Sequence, residues 1–244
     1  MKILPRQLCL LPLLAAIGLA HAGIEINGTR VVYPAGKSEV SVSMVNNDKD
    51  ARLVQAWVDT GDASVRPETT KAPFVITPPL SRVNPGKGQT LRLIFTKAQV
   101  PQDRETVFWL NVLEIPPKPK AAQGEESNYL QFAVRSRLKI FYRPSGLPGS
   151  PDEAVKAIHW RLLAKGNGYA VECDNPSAYN VSFSNVNLKG APRDERVSKG
   201  GMCPAKGKET FAVMGGPEGS GGKVVFTSIN DYGGFDNHEA DFSR

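Results

Sequence analysis

Short runs rich in β-branched and aromatic residues recur along the first part of the chain, separated by turn-forming segments such as Asn84-Pro85-Gly86-Lys87-Gly88. This pattern is typical of an all-β sandwich, because turn residues divide segments that favour the extended conformation. Sustained helical periodicity does not appear in this part of the sequence. The seven predicted strands are Ile24 to Tyr33, Glu39 to Val45, Leu53 to Val58, Phe74 to Thr77, Thr90 to Phe95, Thr106 to Ile115 and Tyr129 to Tyr142.

The pattern is interrupted between Pro144 and Pro151, where three prolines and two glycines would end any strand or helix. We predict one domain over 23–144, a linker over 145–150 and a second domain over 151–244. In the second part, the segment Val155 to Leu163 fits a strand, although Val155, Ile158 and Leu162 would also share one helical face. The other predicted strands there are Tyr169 to Glu172, Tyr179 to Leu188, Thr210 to Met214 and Lys223 to Ile229.

The last strand of the first domain alternates strongly. Apolar side chains occupy the even positions from Leu130 to Ile140, apart from Ser136, and polar or basic side chains take most of the odd ones. Ordinary strands span about 3 to 10 residues, so one of about 13 suggests that part of it serves something beyond its own core. An ordinary long core strand remains the alternative that alternation alone favours.

The first 22 residues indicate export. Lys2 and Arg6 precede an apolar run, and Ala20-His21-Ala22 forms a small-x-small cleavage site. We expect cleavage after Ala22 and, since no second apolar stretch of spanning length follows, release as a soluble protein without membrane insertion. The remaining length, about twice the ~100 residues of one immunoglobulin-like sandwich, predicts two such domains.

Charge and cysteine content narrow the classes of function. Removing Lys2 and Arg6 from the 30 basic residues leaves 28 against 24 acidic ones, a net charge of +4 that is spread along the chain. This lacks the dense basic clusters that nucleic-acid binding usually shows. Two cysteines follow the export segment, Cys173 and Cys203, and in an oxidising compartment an isolated pair predicts a disulfide. Closing this loop would stabilise the second domain by roughly 3 to 4 kcal/mol.

An enzymatic function is not indicated. The exported part has two histidines, His159 and His238, and neither lies in a recognisable nucleophile, metal or phosphate motif. The glycine-rich segment 215–222 lacks the Lys-Ser/Thr ending of a phosphate-binding loop. We therefore expect no catalytic residues, no metal and no cofactor.

A series of motifs resembles one known family. They are Gly28-Thr29-Arg30-Val31-Val32-Tyr33-Pro34, Thr77-Pro78-Pro79-Leu80, Phe108-Trp109-Leu110-Asn111 with Glu114-Ile115-Pro116-Pro117, Leu130 to Pro144, and Ile229-Asn230-Asp231-Tyr232-Gly233-Gly234. In this order and across both domains, they are similar to the PapD-like periplasmic chaperones of the chaperone-usher pilus pathway. The resemblance implies two immunoglobulin-like β-sandwich domains arranged in an L.

The resemblance also implies a function. The partners would be pilus subunits, whose sandwich lacks a strand, and an outer-membrane usher to which the chaperone delivers them. Leu130, Phe132 and Val134 would fill the subunit's groove as a donor strand, the β-augmentation mode that chaperone-pilin complexes exemplify. Arg30 and Lys139 match the basic residues that anchor the subunit's C-terminal carboxylate, and alternation puts Lys139 on the opposite face from the donor side chains.

A charged cluster joins the two domains in the same family, and Glu105, Arg143 and Asp231 resemble it. We expect a salt bridge among them to hold the domains' orientation more than it adds stability. The alternative function is an immunoglobulin-like structural or adhesive subunit that is itself assembled on the surface. The sequence leaves open which subunits and usher are served and whether the free protein self-associates through its exposed strand.

Overall fold

The computed structural model describes residues 23–118, 130–166, 168–191, 200–216 and 222–244. The predicted export segment, 1–22, lies outside the described residues, as does Tyr129 at the start of the predicted long strand. Within the described ranges the regular secondary structure is almost entirely β, with one short helix. The all-β prediction with two immunoglobulin-like sandwiches is therefore confirmed.

Two sheets build the first sandwich. Its strands are β1 Ile24–Ile26, β2 Arg30–Pro34, β3 Val40–Asn46, β4 Arg52–Asp59, β5 Phe74–Thr77, β6 Leu80–Val83, β7 Gly88–Phe95, β8 Thr106–Ile115 and β9 Val134–Arg143. One sheet has the order β1-β3-β7-β5 and the other β2-β9-β8-β4-β6. Inward side chains of both sheets form one core in which Tyr33 stacks on Tyr142 and lies edge-on to Phe74.

The first predicted strand, Ile24 to Tyr33, is wrong as a single element. Gly28 has φ +98°, a left-handed conformation that glycine adopts without a Cβ clash, and the chain changes sheets there. β1 pairs with β3 in one sheet, while β2 pairs in parallel with β9 in the other. The sequence pattern also missed β6, which follows β5 after only two residues.

The second sandwich begins with a helix. Its elements are α1 Pro151–Lys156, β10 His159–Lys165, β11 Gly168–Asn175, β12 Val181–Leu188, β13 Gly201–Cys203, β14 Gly207–Val213, β15 Lys223–Ile229 and β16 Phe235–Ser243. Ser150 caps α1 by accepting a hydrogen bond from the Glu153 amide, and Pro151 occupies the first helical turn. The strand predicted from Val155 to Leu163 is therefore wrong before His159, where β10 begins. The helical alternative is correct for Val155, which lies in α1.

One continuous sheet folds over to form this sandwich, with the order β13-β12-β15-β16-β10-β11-β14. β16 closes it by pairing antiparallel with β15 and in parallel with β10. Trp160 packs between the layers against Phe183 and Phe226. The predicted disulfide between Cys173 and Cys203 is confirmed, and it joins β11 to β13 with a Cα–Cα distance of 6.2 Å. The sequence pattern missed β13, which is only three residues long, and β16, whose alternation is diluted by polar residues.

Candidate functional site

An exposed apolar segment leads into β9. The exposed fractions of the Leu130, Phe132 and Val134 side chains are 79%, 69% and 56%. β9 begins only at Val134, where it pairs with Glu114 of β8, so the predicted strand starts later than its alternation indicated. Gln131, which points the other way along the segment, donates hydrogen bonds to the carbonyl oxygens of Pro116 and Pro117 at 2.7 and 3.2 Å. Three large apolar side chains are thus presented to solvent at alternate positions.

One edge of β9 is open beside this segment. β8 pairs with β9 from Val134 to Tyr142, but β2 covers the opposite edge only from Lys139 to Arg143. Among the described residues, nothing pairs with that edge between Val134 and Leu138. The backbone groups on such an edge are ready to hydrogen-bond with an added strand.

Two cations mark the point where β2 begins and the open edge of β9 stops. Arg30 of β2 and Lys139 of β9 are register partners in the parallel pair, so their side chains project from the same face. Arg30 donates from Nη1 to the Ile229 carbonyl oxygen at 2.8 Å, and Lys139 donates from Nζ to Ser182 Oγ at 3.2 Å. Both contacts reach the second domain, so the pair lies in the cleft between the domains.

Neither Arg30 nor Lys139 forms a salt bridge with another described residue, and Arg30 Nε is buried without a hydrogen-bond acceptor. Burial and the neighbouring charge of Arg30 lower the pKa of Lys139 to about 8. Burial also lowers the pKa of Arg30, although Asp231 opposes this effect. Holding two partly desolvated positive charges side by side is electrostatically unfavourable. A carboxylate bound between them would stabilise both charges.

Trp109 supports this site, and sequence reasoning did not single it out. Its register partner across β8 and β9 is Lys139, whose Nζ lies 5.5 Å from the ring centroid, while the guanidinium of Arg137 lies 4.2 Å from the same ring. Asp59, whose side chain is 1% exposed, fixes Arg137 through hydrogen bonds of 2.5 and 3.2 Å. A cation–π contact partly replaces the hydration that Lys139 loses. Trp109 could have been found only from the register of β8 and β9, because the register decides which odd-numbered positions face each other.

Glu105, Arg143 and Asp231 are brought together at the junction of the domains. Arg143 donates to Glu105 Oε1 at 2.6 Å and binds both carboxylate oxygens of Asp231 at 2.8 and 3.0 Å. Glu105 Oε2 accepts a hydrogen bond from the Asn180 amide at 2.8 Å, so this carboxylate also reaches the second domain. Burial alone would lower the pKa of Arg143, but the Asp231 hydrogen bonds and the charge of Glu105 outweigh it and raise this pKa.

The described residues contain no group of three or more His, Cys, Asp or Glu side chains that could hold a metal ion. His238 lies 2.8 Å from Ser228 Oγ and stacks on Phe226, which places it in the packing of the second sandwich. In the described part of the chain, no helix has the length and apolarity needed to cross a membrane.

Comparison with known proteins gives consistent matches over both domains. A family model described as "Pili and flagellar-assembly chaperone, PapD N-terminal domain" matches residues 23–148, and one described as "Pili assembly chaperone PapD, C-terminal domain" matches residues 153–240. The chain is 39% identical over 229 residues to the probable fimbrial chaperone YadV of Escherichia coli strain K12, covering 93% of each protein. It is 40% identical over 230 residues to the chaperone FimB/FhaD of Bordetella pertussis, covering 91% of this chain and 88% of that one.

Solved structures agree with these matches. The crystal structure of the YadV chaperone superposes with a TM-score of 0.72 at 37% identity, covering 91% of this chain and all of that one. The SafB chaperone of Salmonella enterica, solved in complex with the SafA pilin, gives a TM-score of 0.74 at 26% identity, covering 91% of this chain and 96% of that one.

Proposed function

Because the chain belongs to the family of PapD-like pilus-assembly chaperones, we propose that it binds pilus subunits in the periplasm and completes their sandwich with its own strand. The observation that carries this proposal is the exposed row Leu130, Phe132 and Val134 running directly into the open edge of β9. A subunit that lacks a strand exposes a hydrophobic groove and two unpaired edges. The row would fill the groove, and the β9 backbone would pair with an edge.

The cation pair would fix the direction of the bound strand. A guest strand on the open edge of β9 lies in line with β2 and meets it end to end at Arg30. If the guest's C-terminal carboxylate binds Arg30 and Lys139, the guest must run from the Leu130 end towards Lys139, which is the direction of β9 itself. The guest would therefore pair in parallel with β9 and be anchored in register by its last residue. Lys139 lies on the opposite face from Val134, so the anchor does not compete with the groove.

The charged cluster would hold the cleft open at one angle. Arg143 and Glu105 come from the first domain, while Asp231 and the Asn180 amide come from the second. We propose that these contacts fix where Ser182 and Ile229 lie relative to the cation pair. The cleft would then be ready for a chain end before any subunit binds.

Delivery to an outer-membrane usher belongs to the same proposal. The export segment over 1–22 would bring the chain to the compartment in which subunits await assembly. A surface-assembled immunoglobulin-like subunit is the rival function. It has no use for two partly buried cations that form no salt bridge with another described residue, which favours the chaperone.

The test is a double substitution, Arg30→Ala with Lys139→Ala. The protein is co-expressed in the periplasm with pilus subunits of its own organism and recovered through a tag on the chaperone. We expect normal folding, measured as an unchanged thermal unfolding midpoint, with loss of most co-purified subunit. The matched control is Lys37→Ala with Lys165→Ala, which removes two positive charges at exposed positions outside the cleft. Equal recovery of subunit by both double variants would refute carboxylate capture.

A further inference from the structure

A row of side chains on the second domain faces the cation pair. Ser182 of β12, Ile229 of β15 and Phe235 of β16 are successive register partners, so they share one face of the sheet. Ser182 Oγ accepts the hydrogen bond from Lys139, and the Ile229 carbonyl accepts the one from Arg30. The face that carries this row is therefore turned towards the first domain, and Phe235 is one strand beyond Ile229.

Phe235 is uncovered although it faces the cleft. Its side chain is 66% exposed, and Tyr232, in the turn between Ile229 and Phe235, is 96% exposed. We call the residues from Leu130 to Val134 the donor segment. In the described part of the chain, Tyr232 and Phe235 are the two most exposed large apolar side chains outside it. Exposed aromatic side chains that cluster beside a binding site commonly contact a partner.

The turn that carries both rings is firmly held. Asn230 Oδ1 accepts hydrogen bonds from the amides of Tyr232 and Gly234 at 3.1 and 2.8 Å, and Asp231 is bound by Arg143. Gly233 lies so close to the first domain that a Cβ there would be 2.7 Å from Thr29 Oγ1. The backbone that carries Tyr232 is thus held beside Thr29, the residue that precedes Arg30, which limits the backbone entropy lost when a ligand binds there.

We propose that Phe235, together with Tyr232, forms an apolar subsite for the side chain of the subunit's last residue. This inference rests on the proposed capture of the subunit's carboxylate, because that capture places the last residue at the cations, beside Ser182 and Ile229. From there the side chain of that residue would extend towards Phe235, which lies one strand beyond Ile229 on the same face. An aromatic or large aliphatic last residue would bury its surface there, whereas a polar one would gain little. Through this subsite, the second domain would select subunits by the side chain of their last residue.

The test uses synthetic 12-residue peptides of alternating valine and serine that differ only in the last residue, Phe or Ser, each with a free and an amidated C-terminus. Binding to the full exported chain is measured by isothermal titration calorimetry. We expect the free Phe-ended peptide to bind about tenfold tighter than the Ser-ended one. In Phe235→Ser this ratio should fall to about one. Val75→Ser, which removes an exposed apolar side chain from β5, should keep the ratio of ten.

The outcomes separate the subsite from the capture on which it rests. If amidation weakens binding but the Phe-to-Ser ratio is the same in the unsubstituted protein and in Phe235→Ser, the apolar subsite is wrong and carboxylate capture stands. If amidation has no effect, or if no peptide binds, both are wrong. Unfolding midpoints of the two serine variants should match, since both replaced side chains are largely exposed.

Discussion

At the scale of single residues, Lys139 carries a chemical consequence of the cleft. Its pKa is lowered to about 8 because the amine is buried and lies beside Arg30, with no acidic side chain of the described residues in contact. A bound carboxylate would favour the charged amine and raise this pKa in the complex. Binding therefore takes up a proton when the free amine is neutral.

We predict that affinity for a carboxylate-ended peptide is constant between about pH 5 and pH 7, where the peptide carboxylate and Lys139 are both charged, and falls as the pH rises from 7 to 9.5. The decrease begins near the pKa of the free protein, about 8, and its limiting slope is tenfold per pH unit. Calorimetric titration at half-unit steps measures it. Lys139→Arg keeps the charge throughout this range and should remove the dependence. A slope that persists in Lys139→Arg would assign the titration to another group.

The residue scale is also where sequence reasoning was least complete. The resemblance drew attention to Arg30 and Lys139, but residues 109 positions apart become neighbours only through the parallel register of β2 and β9. Trp109 was part of a quoted motif without a role, because its contact with Lys139 depends on which positions of β8 and β9 oppose each other. Alternation predicts the face of a side chain but not its neighbour on the next strand.

At the scale of elements, the donor segment combines strong exposure with a strong pattern. We predict that Leu130→Glu, Phe132→Glu or Val134→Glu each abolishes protection of subunits, because a charge enters a dry groove only at a cost of several kcal/mol. Ala133→Glu is the matched control, since residue 133 is exposed and projects away from the groove. Subunit levels in the periplasm, measured by immunoblot, should fall for the three variants and stay normal for the control.

The same variants separate function from folding. The three side chains are exposed in the free protein, so the unfolding midpoints of all four variants should lie within about 2 °C of the original. Wild-type subunit levels in all three variants would show that Leu130, Phe132 and Val134 are not the side chains that fill the subunit's groove. A large drop in the midpoint would instead mean that the segment packs on its own domain.

Sequence patterns located elements well where one face is buried and failed where local geometry changes. β3, β4 and β8 were found because their buried positions alternate or run continuously against the core. The break at Gly28 was missed, since apolar residues continue on both sides while the strand changes sheets. β16 was missed because its outward positions after Phe235 are polar and its inward ones include His238. A hydrophobic pattern shows which side chains are buried, but it does not show which sheet a strand joins.

At the scale of the whole molecule, the run of prolines and glycines between Pro144 and Pro151 predicts a boundary between two domains, and its bounds stay a prediction. What the sequence pattern could not provide is how the domains contact each other. The Glu105 carboxylate is 1% exposed and bound to Arg143 and the Asn180 amide, whereas the Asp231 side chain is 30% exposed. Glu105 and Asp231 should therefore contribute unequally to the free energy of unfolding.

We predict that Glu105→Gln destabilises the protein by about 3 kcal/mol, because it removes a buried charge from Arg143. Asp231→Asn should cost about 1 kcal/mol, since this partner is partly solvated. Both variants should loosen the angle between the domains, which small-angle X-ray scattering would detect as a broader distance distribution. A serine substitution of Asp103, an exposed acid that pairs with Lys206, is the control and should change neither measurement. Equal losses of stability with an unaltered scattering profile would show that the cluster stabilises the domains without setting their orientation.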